Sequence, residues 1–170
     1  AAAWQYAQRV QMPWHALLPA VAVCFAGAMA GAWTVTVIAP DFLRKALPLI
    51  LLLVLGYTLM RKDLGRHHAP TMAARGETLA ACTLGGVIGF YDGFFGPGTG
   101  SFFVFLFVRW LGYDFLHASA SAKLLNAASN AAALILFIGK GHIWWHFVLP
   151  LATANVIGCL LYTSPSPRDL

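Results

Sequence analysis

The stretch GFYDGFFGPGTGSFFVF, residues 89–105, lies in an apolar and aromatic part of the chain, yet it contains a carboxylate, Asp92. Several glycines and a proline follow that carboxylate within eight residues. Both residue types interrupt helices, proline because it lacks a backbone N–H and glycine because it permits positive φ. The stretch therefore predicts a break between two helices, with an ionisable residue beside the break.

The composition around this stretch is that of a membrane protein. Hydrophobic residues make up 59% of the chain and charged residues only 10%, and the mean hydropathy is +0.70. A water-soluble domain would have too little polar material for its surface. The net charge of +5 comes from basic residues in short loops between apolar runs, where they act as topology signals. We therefore expect contact with the lipid bilayer and no nucleic-acid partner.

Apolar runs and breaks predict six helical segments. They are A (16–38), B (43–60), C (79–95), D (101–111), E (118–138) and F (from residue 146). A helix needs about 20 residues to span a bilayer, so segment D is too short to cross alone, and C and D form a broken or re-entrant pair. The loop 61–78 holds the densest basic cluster and is predicted to be cytoplasmic.

A comparison of the chain with itself indicates a repeat. WHALLPAVAVCFAG from Trp14 and WHFVLPLATANVIG from Trp145 share Trp, His, Leu and Pro at equal spacing, and realign at Gly27 and Gly158. Segments C and D return the chain to one side, so the number of crossings between the copies is odd. Such repeats are inverted, a plan that recurs in secondary transporters. We predict an all-α, polytopic transmembrane helix bundle with inverted repeats and a repeat boundary within 61–78.

Both ends of the chain are expected to be truncated. The first residues contain no initiator Met and no signal-peptide pattern. The last twelve, CLLYTSPSPRDL, resemble the conceptual translation of a sequencing-library adaptor, and we expect 159–170 to be a non-native tail. Residues 1–158 are then the fragment of a single transmembrane domain.

The predicted break has the features of an anion site. Unpaired backbone groups are tolerated in a membrane only where they are buried in protein or line a cavity. The break frees N–H groups at the start of segment D, where Thr99 or Ser101 would be the N-cap, and a helix N-terminus attracts anions. A kink that merely lets helices pack is the alternative. The candidate binding residues here are Gly96, Pro97, Gly98, Thr99, Gly100 and Ser101.

Segment E offers complementary groups. Lys123, Asn126 and Asn130 share one helical face, with Ser119 one turn earlier. An ammonium and two amides suit a small oxyanion, although Lys123 could instead snorkel to the interface while the amides tie helices together. Asp92 could pair with Lys123, so that protonating Asp92 would release Lys123 and couple transport to protons. No Cys or His pattern indicates a metal, and no cofactor is predicted.

GFYDGFFGPGTGSFF followed by SAKLLNAASN (121–130) resembles the TauE/SafE family, also called the sulfite exporter or TSUP family, and especially its YfcA-like members. The resemblance covers about residues 14–158. It implies a secondary transporter that moves sulfite, organosulfonates or similar small anions, generally outward, across the bacterial cytoplasmic (inner) membrane. Transport could be coupled to protons, and the sequence leaves open whether the protein forms a homo-oligomer.

Two other functions are compatible with parts of the pattern. A non-transporting membrane assembly protein could share the same helices. An intramembrane aspartic protease would need two carboxylates at one depth, and the Tyr-Asp pairs ending at Asp92 and Asp114 suggest it. Because Asp114 falls in the loop after segment D and no GxGD motif is present, we predict that the protein is not an enzyme.

Overall fold

The computed structural model describes residues 13–38, 40–60, 74–141 and 144–163. Within these ranges the chain is helical and contains no strand, so the predicted all-α class is confirmed. Two of the helices, α1 and α5, are long and apolar enough to cross a membrane. The helices are α1 (Trp14–Val37), α2 (Pro40–Met60), α3 (Ala74–Phe94), α4 (Thr99–Leu106), α5 (Phe115–Gly139) and α6 (Trp145–Thr163), and a π-helical turn (Phe107–Leu111) continues α4.

Small residues hold α1 and α3 at unusually short distance. A Cβ added at Gly93 would lie 2.0 Å from the Ala28 carbonyl oxygen, and one added at Gly31 would lie 2.1 Å from the Phe90 carbonyl oxygen. Such close backbone contact is typical of helices packed through glycine and alanine in membranes. The paired residues along this glycine seam are Ala20 with Gly85, Cys24 with Gly89, and Ala28 with Gly93. Residue numbers rise together, so the two helices are parallel.

Helix α5 packs beside this pair and runs in the same direction. The Cys24 thiol donates to the Leu125 carbonyl over 3.6 Å, and further along both helices Lys140 Nζ donates to Thr36 Oγ1 over 2.8 Å. The buried face of α5 consists mainly of small residues, which permits this close packing. These residues are Ala118, Ala120, Ser121, Ala122, Leu125, Ser129 and Ala132.

Helix α4 and the π-helical turn carry the chain back from the far end of α3 to its beginning. The Tyr113 hydroxyl, which follows the turn, donates a hydrogen bond to Glu77 in the first turn of α3. Gly112 ends the turn with φ of 74°, and the Asp114 carboxylate caps α5 by accepting from His117 N over 3.0 Å. The predicted return of segments C and D to one side is therefore confirmed.

One predicted boundary was wrong. Segment C was predicted to start at residue 79, but α3 begins at Ala74, so residues 74–78 are helix and only 61–73 of the predicted loop 61–78 lie outside the described residues. The polar residues of this first turn show no apolar helical pattern, so the sequence did not predict it. In the structure, Glu77 accepts from Tyr113 and interacts favourably with the helix dipole. Helix α6 extends from Trp145 to Thr163, and the domain boundary at 158 stays a prediction. Residues 164–170 lie outside the described part.

Candidate functional site

The predicted break after Asp92 is present and has the predicted cause. Helix α3 ends at Phe94, and the chain turns through Gly96 and Gly98, with φ of 84° and 82°. Residues other than glycine rarely adopt this conformation. The turn is pinned on one side by the Tyr91 hydroxyl, which donates to the Pro97 carbonyl oxygen over 2.8 Å.

The predicted N-cap of the following helix was wrong. Gly98 occupies the N-cap position of α4, and no side chain caps that helix. The Thr99 hydroxyl instead lies 2.6 Å from Asp92 Oδ1 and 2.7 Å from the Gly96 carbonyl oxygen. The Thr99 hydroxyl therefore binds the carboxylate and does not cap the backbone N–H groups of α4. Ser101 is exposed on the first turn of α4.

Ser129 holds the second oxygen of the carboxylate, a role that the sequence-based interpretation missed. Its hydroxyl contacts Asp92 Oδ2 and lies 3.0 Å from the Asn126 carbonyl oxygen. Ser129 is fully buried, on the α5 face that also carries Leu125. The spacing of small residues along that face was the signal that could have identified it. Asp92 thus connects three helices: its own α3, α4 through Thr99, and α5 through Ser129.

A cavity of about 170 Å³ lies between α4 and α5. It brings the first turn of α4 together with the predicted polar groups of α5, because Gly100 faces Lys123 and Asn126 across it. Lys123 is exposed and Asn126 is half-buried. The remaining lining residues are Val104, Ser119 and Ala122.

The structure separates the other predicted binding residues from this cavity lining. Asn130 is exposed, and its amide Nδ2 donates to the Asn126 carbonyl oxygen over 2.6 Å. Gly96, Pro97 and Gly98 shape the turn that places α4. The predicted pair between Asp92 and Lys123 stays a prediction, since the hydrogen bonds described for the carboxylate come from two hydroxyls.

A second polar cluster, also missed from sequence, joins the other end of the same helices. Glu77 is 8% exposed and accepts from the Tyr113 hydroxyl, and its other oxygen lies 3.4 Å from His15 Nε2. This cluster ties α1, α3 and the start of α5 together. Asp114 and Asp92 lie at opposite ends of these parallel helices, so they do not form the carboxylate pair of an aspartic protease. Among the described residues, no group of three or more His, Cys, Asp or Glu side chains could hold a metal ion.

Comparisons with known proteins agree with this architecture. The sequence profile described as "Sulfite exporter TauE/SafE" matches residues 1–162. The probable membrane transporter protein YfcA of Escherichia coli K12 is 41% identical over 126 residues, which cover 74% of this chain and 46% of that protein. The probable membrane transporter protein ORF9 of Sinorhizobium sp. is 35% identical over 156 residues, or 90% of this chain and 58% of the relative.

A third relative, a probable membrane transporter protein of Haemophilus influenzae, is 32% identical over 81% of this chain and 53% of its own length. The chain thus spans about half the length of the curated relatives it matches. No solved structure matches it. The extent of the profile match and the identity to these relatives show that this membrane protein belongs to the sulfite exporter TauE/SafE family.

Proposed function

We propose that the full-length protein is a secondary transporter that exports sulfite, organosulfonates or similar small anions across the bacterial cytoplasmic membrane. It is a multi-pass protein in which the N-terminal ends of α1, α3 and α5 face the cytoplasm, the side predicted for the basic cluster within 61–78. The cavity between α4 and α5 is the observation that carries this proposal.

The size of the cavity suits a small anion. A water molecule occupies about 30 Å³ of liquid volume, so about 170 Å³ accommodates an anion of a few heavy atoms together with some of its water. The size therefore suits inorganic sulfur oxyanions and short-chain sulfonates within the proposed class.

The chemistry of the lining suits an oxyanion as well. Lys123 contributes a positive charge, Asn126 an amide donor, and Gly100 lies in the first turn of α4, where backbone N–H groups lack helical partners. Glycine at this position leaves the backbone accessible, because nothing lies within 4 Å of the place where its Cβ would be. Positive charge, amide and helix N-terminus act on the same small volume.

Flux through proteoliposomes tests the proposal. The full-length protein is reconstituted and the movement of labelled sulfite, a short-chain sulfonate and sulfate is followed. Asn126→Ala is compared with Asn130→Ala, which removes the same amide from the same helix at a position outside the cavity lining. We expect Asn126→Ala and Lys123→Gln to lower flux at least tenfold, about the value of one charge-assisted hydrogen bond, and Asn130→Ala to lower it much less.

The outcomes separate transport from the assignment of the site. Folded protein that moves no small anion would refute the transport function and favour a non-transporting assembly protein. Flux that falls equally in Asn126→Ala and Asn130→Ala would keep the transport function and refute this cavity as the binding site.

A further inference from the structure

The hydroxyl groups around Asp92 face more acceptors than they have protons. The Thr99 hydroxyl lies within hydrogen-bonding distance of Asp92 Oδ1 and the Gly96 carbonyl oxygen, at 2.6 and 2.7 Å. The Ser129 hydroxyl contacts Asp92 Oδ2 and the Asn126 carbonyl oxygen, the latter at 3.0 Å. Each hydroxyl has one proton to donate. If Asp92 is ionised, the two hydroxyl protons can fill only two of these four contacts. Each hydroxyl oxygen then faces one acceptor oxygen with no proton between them.

One more proton relieves this deficit. A protonated Asp92 donates through Oδ2 to the Ser129 hydroxyl, which can then donate to the Asn126 carbonyl oxygen, while the Thr99 hydroxyl still donates to Oδ1 or to Gly96. Three of the four contacts then contain a proton. Neutralisation also removes the cost of holding a charge between packed apolar helices.

We propose, on the basis of the proposed transport function, that Asp92, Thr99 and Ser129 form a proton-binding site and that this proton and the transported anion bind together. In this site, Ser129 and Thr99 are positioning residues that hold the acid between α4 and α5.

The proton site shares residues with the wall of the anion cavity. Thr99 directly precedes Gly100, which lines the cavity. Asn126 belongs to both, because its side chain lines the cavity and its carbonyl oxygen contacts the Ser129 hydroxyl. An ionised Asp92 would repel an anion held there, whereas the neutral acid does not. By thermodynamic reciprocity, anion binding then draws a proton onto Asp92.

Other titratable groups around Asp92 are few among the described residues. Cys24 on α1 and Tyr91 on α3 interact electrostatically with the carboxylate, and Lys123 on α5 lines the neighbouring cavity. The Cys24 thiol donates to the Leu125 carbonyl and also interacts with the Ser129 side chain, and the Tyr91 hydroxyl donates to the Pro97 carbonyl. Among these described groups, Asp92 is the only carboxyl group.

Calorimetry on the purified full-length protein tests the coupling. The probe is methanesulfonate, which stays ionised at every pH used, so protons taken up on binding belong to the protein. Titrations in buffers of different ionisation enthalpy count those protons. We expect uptake approaching one proton per anion at alkaline pH, and an affinity that falls about 5- to 150-fold from acidic to alkaline pH, the usual range of coupling between two sites.

Variants assign the proton to the site. Asp92→Asn should abolish both proton uptake and the pH dependence of binding. Ser129→Ala should move the midpoint of the pH dependence downward, because the protonated acid then loses the hydroxyl that accepts its proton. Ser121→Ala is the matched control: this serine is buried on the same helix, and its hydroxyl has no partner among the described residues. It should leave the midpoint unchanged.

Infrared difference spectroscopy provides a readout that does not depend on the anion. The carbonyl stretch of a protonated carboxylic acid should be present in the wild type, absent in Asp92→Asn and shifted in Ser129→Ala. Absence of that band, release of protons on anion binding, pH-dependent binding by Asp92→Asn, or a requirement for Na⁺ in place of protons would each overturn the proposal. Failure to bind methanesulfonate with the band present would refute the substrate class and leave the proton site supported.

Discussion

Replacing Gly93 by alanine should destabilise the protein through the contact between two backbones. The added Cβ would lie 2.0 Å from the Ala28 carbonyl oxygen, 2.7 Å from its carbonyl carbon and 2.9 Å from its Cα. All three atoms belong to the α1 main chain, so no side chain can rotate away. Restoring an ordinary contact of 3.4 Å requires α1 and α3 to separate by about 1.4 Å at this point.

The expected cost follows from two opposing terms. Overpacking a well-packed interface costs about 1–3 kcal/mol, and the rigid neighbour places Gly93→Ala near the upper limit. Alanine recovers up to about 1 kcal/mol through its higher helix propensity. We therefore expect a net loss of about 2 kcal/mol in the free energy of unfolding. Gly56→Ala in α2 is the matched control, because nothing lies within 4 Å of its added Cβ, and it should be neutral or stabilising.

Unfolding of the full-length protein by SDS in mixed micelles, followed by circular dichroism, measures these differences. The seam also predicts an order, since the added Cβ would approach the facing carbonyl oxygen to 2.8 Å at Gly85, 2.5 Å at Gly89 and 2.0 Å at Gly93. Destabilisation should increase in that order. A Gly93→Ala variant as stable as Gly56→Ala, or a reversed order along the seam, would refute this packing.

Further predictions concern the turn and the Glu77 cluster. Gly98→Ala should cost more than Gly141→Ala in SDS unfolding: both have φ near +70° to +80°, a strain of about 1–2 kcal/mol, but only at Gly98 would the Cβ also meet Val54 Cγ1, at 2.5 Å. Adding Val54→Ala should recover part of the difference, and no recovery would contradict the contact. Tyr113→Phe should cost about 1–3 kcal/mol at neutral pH by removing the donor to Glu77. Burial first, and then Glu77, raise the pKa of Tyr113 above its ordinary 10.0, so its contribution is present below pH 10 and lost as the pH rises further. Unfolding of the wild type should therefore become easier above pH 10, and Tyr113→Phe should flatten that dependence; parallel curves would contradict it.

The sequence predicted the helices where the physical signal is local. The break at Gly96 and Gly98 follows from the residue types themselves, and α1 and α5 follow from long apolar runs. The start of α3 could not be predicted in the same way. Its first turn contains a buried carboxylate, Glu77. The hydrogen bond that stabilises this carboxylate comes from Tyr113, which is distant in sequence.

The candidate site was predicted in part for the same reason. The polar face of segment E placed Lys123 and Asn126 correctly beside the start of α4. The sequence did not identify Ser129 as a site residue. A serine among alanines on a helix face is typical of close helix packing, and its contact with Asp92 is visible only in the structure. Likewise, Gly98 occupies the N-cap position of α4, because the Thr99 hydroxyl is hydrogen-bonded to the nearby carboxylate. Competition between partners on different helices cannot be predicted from spacing along one helix.

The glycine seam also determines the register of α3 along α1. Sliding α3 by one turn in one direction would bring Ala81 against the carbonyl of Ala20. Sliding it by one turn in the other would leave the carbonyl of Ala28 beyond Phe94, where α3 ends. Smaller displacements would rotate bulky residues such as Leu84 or Ile88 into a gap that admits no Cβ. The position of Asp92 along α1 is therefore set by the spacing of the glycines that precede it.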